Sequence, residues 1–124
     1  MKKEDIAKYR EKYIIECGDG WMDLLKPIFD YLEKRPYFSI SQIKEKFGTL
    51  RVYTYGEDEK LSELVREAEE ASVYVCEFCG SRENVGRTSG YIQTLCEKCA
   101  KQMESDVGHS LCWRPLTEIE HDQL

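Results

Sequence analysis

The sequence has no long apolar run. No apolar stretch approaches the roughly 18 residues that suggest a membrane-spanning helix. Residues 1–5 read Met-Lys-Lys-Glu-Asp, and no apolar core of a secretory signal follows them. We therefore expect a cytoplasmic protein that does not span a membrane. In that reducing compartment its cysteines would stay reduced and available to bind a metal.

Signatures of familiar enzyme classes are also missing. There is no glycine-rich phosphate-binding loop, and no His-x-Glu precedes a cysteine pair as it does in zinc deaminases. The only histidines are His109 and His121, so a His-Asn-His-type nuclease would lack the histidine of its hairpin. We therefore predict that the protein is not an enzyme. The alternative is a nucleophilic cysteine, either Cys17 at the start of a helix or Cys112 near His109.

An excess of positive charge is absent as well. The chain carries 18 Lys and Arg residues against 24 Asp and Glu residues, a formal net charge of −6. Residues 1–60 are balanced, with 12 of each sign, and residues 61–124 carry 6 basic and 12 acidic residues. Non-specific binding of nucleic acid requires a basic footprint. Any contact with nucleic acid would therefore have to use a local patch of basic residues.

Four of the six cysteines, in contrast, follow a metal-binding pattern. Cys76 and Cys79 form one Cys-x-x-Cys pair, and Cys96 and Cys99 form a second pair after 16 intervening residues. Four thiolates fill the tetrahedral shell of a structural zinc ion and leave no position for a catalytic water. The alternative is two disulfides or free thiols. A helical pattern after Cys99 favours a treble clef over a zinc ribbon.

Hydrophobic periodicity predicts an α+β fold in which helices pack on a β-hairpin. We expect helices over residues 3–16, 21–34 and 58–72, and a hairpin over residues 37–55 that turns at residues 46–49. The predicted organisation is a body of two helices, a hairpin and a helix, then a four-cysteine zinc module, then a tail that packs on the body. These parts cover residues 1–75, 76–104 and 105–124.

The outer face of the predicted hairpin combines basic and aromatic side chains. Its members are Lys44, Lys46, Arg51, Tyr53 and Tyr55. Such a face can bind single-stranded nucleic acid by stacking and charge, or it can dock a protein. It can equally be an ordinary solvated strand. In the zinc module, Arg82 or Arg87 could add to a nucleic-acid surface.

Three segments resemble a widespread family of small proteins encoded by bacteriophages, prophages and bacteria. They are the Gly-Asp-Gly-Trp turn at residues 18–21, the Gln-Ile-Lys-Glu-Lys-Phe-Gly-Thr-Leu-Arg segment at residues 42–51, and the two cysteine pairs. The resemblance covers roughly residues 14–100. It implies a zinc site and the cytoplasm of a bacterial host cell, and it implies no mechanism.

Polar loops of defined sequence often carry binding when a rigid scaffold positions them. Asp19 and Trp21 therefore join Lys44, Lys46 and Arg51 as candidates for a shared surface, with helix capping and turn formation as the alternative. We expect a small non-catalytic zinc protein that binds a host protein and could inhibit a host enzyme or defence system. The alternatives are a nucleic-acid-binding zinc protein and an inactive nuclease-like treble clef.

Overall fold

The computed structural model describes residues 1–122 and shows the expected mixture of helices and small sheets. The helices are α1 (Lys3–Lys12), α2 (Met22–Glu33), α3 (Glu59–Ser72), α4 (Glu97–Val107) and α5 (Leu116–Asp122), with a short 3-10 helix at Asp19–Trp21. The strands are β1 (Ile15–Glu16), β2 (Ser39–Lys46), β3 (Thr49–Tyr55), β4 (Val85–Arg87), β5 (Thr94–Cys96) and β6 (Arg114–Pro115). No helix among these residues is long and apolar enough to cross a membrane.

The predicted hairpin is confirmed as the antiparallel pair β2–β3. Lys46 pairs with Thr49, and both residues of the turn between them have positive φ, 54° at Phe47 and 79° at Gly48. Two such residues define the turn type that matches the twist of a hairpin. Strand β1 joins β2 in parallel and completes a sheet of order β1-β2-β3. The predicted first helix is therefore too long, because the chain turns extended after Lys12 to form β1.

Helix α3 covers the other edge of this sheet. The backbone N–H of Leu50 donates to Ser72 Oγ at 3.0 Å, and that of Val52 donates to Glu69 Oε2 at 3.0 Å. Side chains of the helix thus satisfy donors that an edge strand would otherwise present to solvent. Glu69 therefore faces the sheet, although it lies in an acidic run of α3 that would suit a solvated surface.

The main core lies between α2 and the hairpin. Trp21, Leu25, Ile28, Ile43 and Leu50 are fully buried there. The helix predicted over residues 21–34 is therefore confirmed, and its apolar residues face this core. Pro27 lies inside α2 on its exposed side, where water can satisfy the carbonyl that has lost its N–H partner.

Residues 76–115 contain a second, smaller core of Cys76, Leu95, Cys96 and Ala100. Strands β4 and β5 form a short antiparallel hairpin, and β6 pairs with the free edge of β4. The indole Nε1–H of Trp113 donates to Leu95 O at 2.8 Å. The tail was predicted to pack on the body, and this strand pairing and this hydrogen bond join it to the cysteine module.

Candidate metal centre and hairpin face

The two cysteine pairs meet at one point. The four Sγ atoms of Cys76, Cys79, Cys96 and Cys99 all lie within 4.8 Å of one another. The first pair sits on a tight turn after α3, in which the Gly80 N–H donates to Cys76 O at 2.9 Å. The second pair lies at the junction of β5 and α4, where Cys96 Sγ caps the helix by accepting the Cys99 N–H at 3.4 Å.

The spacing of the sulfurs fits a metal shell. With metal–sulfur bonds of about 2.3 Å, a tetrahedral thiolate site places its sulfurs about 3.8 Å apart. The Cys79 and Cys96 Sγ atoms are 3.6 Å apart, far beyond the roughly 2.05 Å of a disulfide bond. The six cysteines are free thiols in the structure. The four paired cysteines could therefore hold a metal ion, as predicted.

Electrostatics around the sulfurs also favour a cation. Burial alone would raise the pKa of the Cys76 thiol, but the backbone N–H groups of Cys79, Cys96 and Phe78 donate to it and lower the pKa overall. At Cys99, burial and the neighbouring thiols raise the pKa. Four thiolates this close repel one another unless a cation lies between them.

The site is open to solvent on one side. A cavity of about 580 Å³ borders Cys79 and Cys96, and its other lining residues are polar, among them Ser81, Asn84 and Lys98. Cys79 itself is exposed. Small chelators in solution can therefore reach the sulfur of Cys79.

The Gly-Asp-Gly-Trp turn packs against the first cysteine pair. The N–H of Gly20 donates to Glu77 O at 2.7 Å, and the N–H of Gly18 donates to Glu77 Oε2 at 3.0 Å. A Cβ on Gly20 would lie 2.2 Å from Cys76 O, so only glycine permits this approach. The turn therefore joins the body to the cysteine module.

Trp21 cannot lie on a binding surface. Its side chain is fully buried, and its Nε1–H donates to Val75 O at 2.9 Å. The prediction of Trp21 as a surface residue is therefore wrong, because the indole fills the core beneath the cysteine module. Asp19 is exposed, but its carboxylate accepts from Arg10 Nη2 at 2.7 Å. Since Arg10 also donates to Cys17 O at 2.7 Å, Asp19 helps to hold this turn in place.

Glu77 was not singled out in the sequence. It is buried despite its charge, and burial raises its carboxyl pKa while the Gly18 N–H opposes that rise. Its position directly after Cys76, a candidate metal ligand, was the only signal in the sequence.

Cys17 and Cys112, the two cysteines outside the Cys-x-x-Cys pairs, differ in their surroundings. Burial, followed by the charge of Glu77, raises the pKa of Cys17 to about 12. At neutral pH this pKa keeps the Cys17 thiol protonated, and a protonated thiol is a poor nucleophile. Cys112 is exposed in a loop, and the nearby His109 places Nδ1 3.0 Å from Ser110 O.

The structure brings the predicted basic and aromatic residues of the hairpin together. Lys44 and Arg51 are direct cross-strand neighbours, and Lys44 Nζ lies 5.5 Å from the ring centroid of Tyr53. Lys46 Nζ lies 5.7 Å from the ring centroid of Phe47, which is 67% exposed at the turn. We call these five residues the hairpin face. Phe47 was not predicted as a member, although a bulky aromatic residue before a turn glycine was a usable signal.

The two predicted arginines of the module lie outside the β2–β3 hairpin. Arg82 is exposed in the loop between the first cysteine pair and β4. Arg87 lies on β4 opposite Thr94, and its Nε is buried without a hydrogen-bond partner among residues 1–122.

Comparison of the chain with protein-family models, with curated proteins and with solved structures returns no significant match.

Proposed function

We propose that the four cysteines bind a structural zinc ion and that residues 76–107 form a treble clef. A cysteine turn, a short hairpin and a helix that starts at the second cysteine pair support this assignment. A tetrahedral shell of four sulfurs suits zinc, and it leaves no open coordination position for chemistry. The metal thus acts by holding the module together.

We further propose that the protein is a non-catalytic interaction protein that binds an acidic surface of a host protein through the hairpin face. The observation that carries this proposal is the exposure of Phe47 at a φ of 54°, which is costly for a bulky residue. Glycine or asparagine would occupy this turn position with less strain. The solvent-exposed ring of Phe47 at this turn is therefore suited to burial against a partner protein.

Charge points to the same kind of partner. Lys44, Lys46 and Arg51 form no ion pair with any other residue in the described range 1–122. Lys44 pairs in register with Arg51 on one side and with Glu16 of β1 on the other, so the acidic neighbour offsets only part of the positive charge. Like charges placed opposite each other are unfavourable in the free sheet. An acidic partner would relieve that repulsion and complement the potential of the face. Binding of this kind could inhibit a host enzyme or defence system.

The test is affinity purification from a bacterial lysate. We expect the wild-type chain to recover one protein at near-stoichiometric level, and a variant with Lys44, Lys46 and Arg51 changed to Ala to lose it. The matched control changes Lys3 and Lys8 to Ala, because both lie exposed on α1. Failure to recover any partner, or equal recovery by the hairpin variant, would count against the proposal.

Single-stranded nucleic acid is the second candidate partner. It is supported by the two cation–aromatic pairs, Lys44 with Tyr53 and Lys46 with Phe47, because exposed rings stack on bases while the cations bind phosphates. Fluorescence anisotropy with a labelled oligothymidylate tests it. Binding should weaken with salt, and each lost cation should reduce the log–log slope by about 0.7. Absence of binding at low salt would eliminate this candidate.

A further inference from the structure

We infer that occupancy of the metal site fixes the position of two loops of the body, the Gly18–Trp21 turn and the hairpin turn at Phe47 and Gly48. Each of these loops is hydrogen-bonded to a residue that lies within two positions of a cysteine ligand. The coupling itself stands on these contacts. The inference rests on the proposed zinc site, and its consequence for partner binding rests also on the proposed function of the hairpin face.

The first link runs through the residues on either side of Cys76. Val75 O accepts the Trp21 indole N–H at 2.9 Å, and Glu77 O accepts the Gly20 N–H at 2.7 Å. The acceptors flank one metal ligand, and the missing side chain of Gly20 lets the two backbones touch. Because the two backbones are already in contact here, a shift of Cys76 also moves the Gly18–Trp21 turn.

The second link runs through β5. Thr94 is fully buried two positions before Cys96, and its hydroxyl donates to Gly48 O at 2.6 Å. The side chain of Ile92 also contacts this turn, 3.1 Å from where a Cβ of Gly48 would lie. The neighbouring residue, Phe47, is the exposed aromatic of the hairpin face. Displacement of β5 would therefore break the hydrogen bond between Thr94 and Gly48 and free the turn that carries Phe47.

The two links are joined to each other. The Glu77 N–H donates to Thr94 O at 3.0 Å, so the segment of Cys76 and the segment of Cys96 are bridged next to their ligands. One ion bound to both segments holds this bridge, and with it both loops. Loss of the ion removes its bonds to both segments, so that only the remaining hydrogen bonds hold the segments together. Metal loss should therefore alter the hairpin face without touching any of its residues.

Amide hydrogen exchange of the full chain, with zinc and after chelation, tests the coupling. With zinc bound, the N–H groups of Gly20 and Gly48 should be protected, since they donate to Glu77 O and to Glu45 Oε2. Chelation should accelerate exchange at both by at least about tenfold, while the central amides of α3 stay protected. Unchanged exchange at Gly20 and Gly48 would overturn the inference. Equal acceleration in α3 would also overturn it, because that result indicates global unfolding.

Two threonine variants separate the links. Thr94→Val removes the hydroxyl that binds Gly48 O and should accelerate exchange at Gly48 several-fold in the zinc-bound protein, with Gly20 unaffected. Thr88→Val is the matched control, because the Thr88 hydroxyl is buried too but donates to Tyr91 O inside the module. Acceleration at Gly48 in both variants, or in neither, would contradict the second link.

These measurements need no partner, so they can fail or succeed independently of the proposed partner binding. The zinc content of the same sample, measured by native mass spectrometry, separates failure of the coupling from absence of the metal. The Lys44, Lys46 and Arg51 variant should keep the wild-type exchange pattern while it loses its partner. A chelated protein that keeps full affinity for the partner would show that the hairpin face does not depend on the metal.

Discussion

Ser72 Oγ accepts the backbone N–H of Leu50 at 3.0 Å and donates to Glu69 O at 2.6 Å. The last turn of α3 is thereby tied to an edge of the hairpin 22 residues earlier in the chain. Ser72 is fully buried, so no water can replace its hydroxyl.

Changing Ser72 to Ala should lower the free energy of unfolding by about 1–3 kcal/mol, because a buried N–H loses its acceptor. Urea denaturation measures the change. Ser62→Ala serves as the control, since Ser62 is exposed on the same helix, and it should stay within about 0.5 kcal/mol of wild type. Equal effects of the two variants would argue against a specific role of the Ser72–Leu50 contact.

Changing Gly20 to Ala should both destabilise the protein and weaken its hold on zinc. The new Cβ would lie 2.2 Å from Cys76 O, and the backbone shift that relieves this clash costs about 1–3 kcal/mol or more. Competition with a zinc-binding dye measures the metal affinity. Gly90→Ala is the control, because Gly90 has a φ of 79° but no atom within 4 Å of its Cβ position. It should reduce stability through backbone strain and leave the zinc affinity unchanged.

The stability of α3 should depend on pH through Asp58. The Tyr31 hydroxyl and then the Leu61 N–H donate to the Asp58 carboxylate and lower its pKa. Since the folded pKa lies below the unfolded one, the ionised carboxylate stabilises the fold above about pH 4, and this contribution is lost as the pH falls through the folded pKa. Asp58→Asn should therefore lose less stability than wild type between about pH 5 and pH 2. Parallel curves for the two proteins would contradict this prediction.

Purified protein should contain about one zinc ion per chain, and Cys79→Ser should remove most of it. Native mass spectrometry measures the ratio. Cys17→Ser and Cys112→Ser are the controls and should retain the metal, because neither thiol belongs to the four-sulfur group. Chelation of the wild type should lower its thermal transition temperature. A transition that does not move would mean that the metal has no structural role.

Local signals in the sequence were sufficient for several elements. Alternation around the Phe47–Gly48 turn predicted the hairpin, apolar spacing predicted α3, and the two cysteine pairs predicted the four-sulfur group. Each of these predictions depends on residues that are close together in the sequence, or on a spacing that is typical of one kind of site.

Features that depend on distant partners could not be predicted. The first helix ends at Lys12 because Ile15 pairs with Ile43. The helical spacing of apolar residues predicts a buried side of the second helix that includes Trp21, but the hydrogen bond from its indole to Val75 O, 54 residues away, could not be predicted. In the sequence, Glu69 and Glu77 are indistinguishable from ordinary surface charges. Their hydrogen-bond donors are distant in the chain, so no local pattern identifies them.

Because α3 covers the edge of β3, it also affects whether the protein can self-associate. An open strand edge can recruit the same strand of a second molecule and start an ordered aggregate. Here the N–H groups of Leu50 and Val52 are already occupied by Ser72 and Glu69. The protein can thus present an exposed phenylalanine and tyrosines on its hairpin while these two N–H groups are unavailable to a strand of a second molecule.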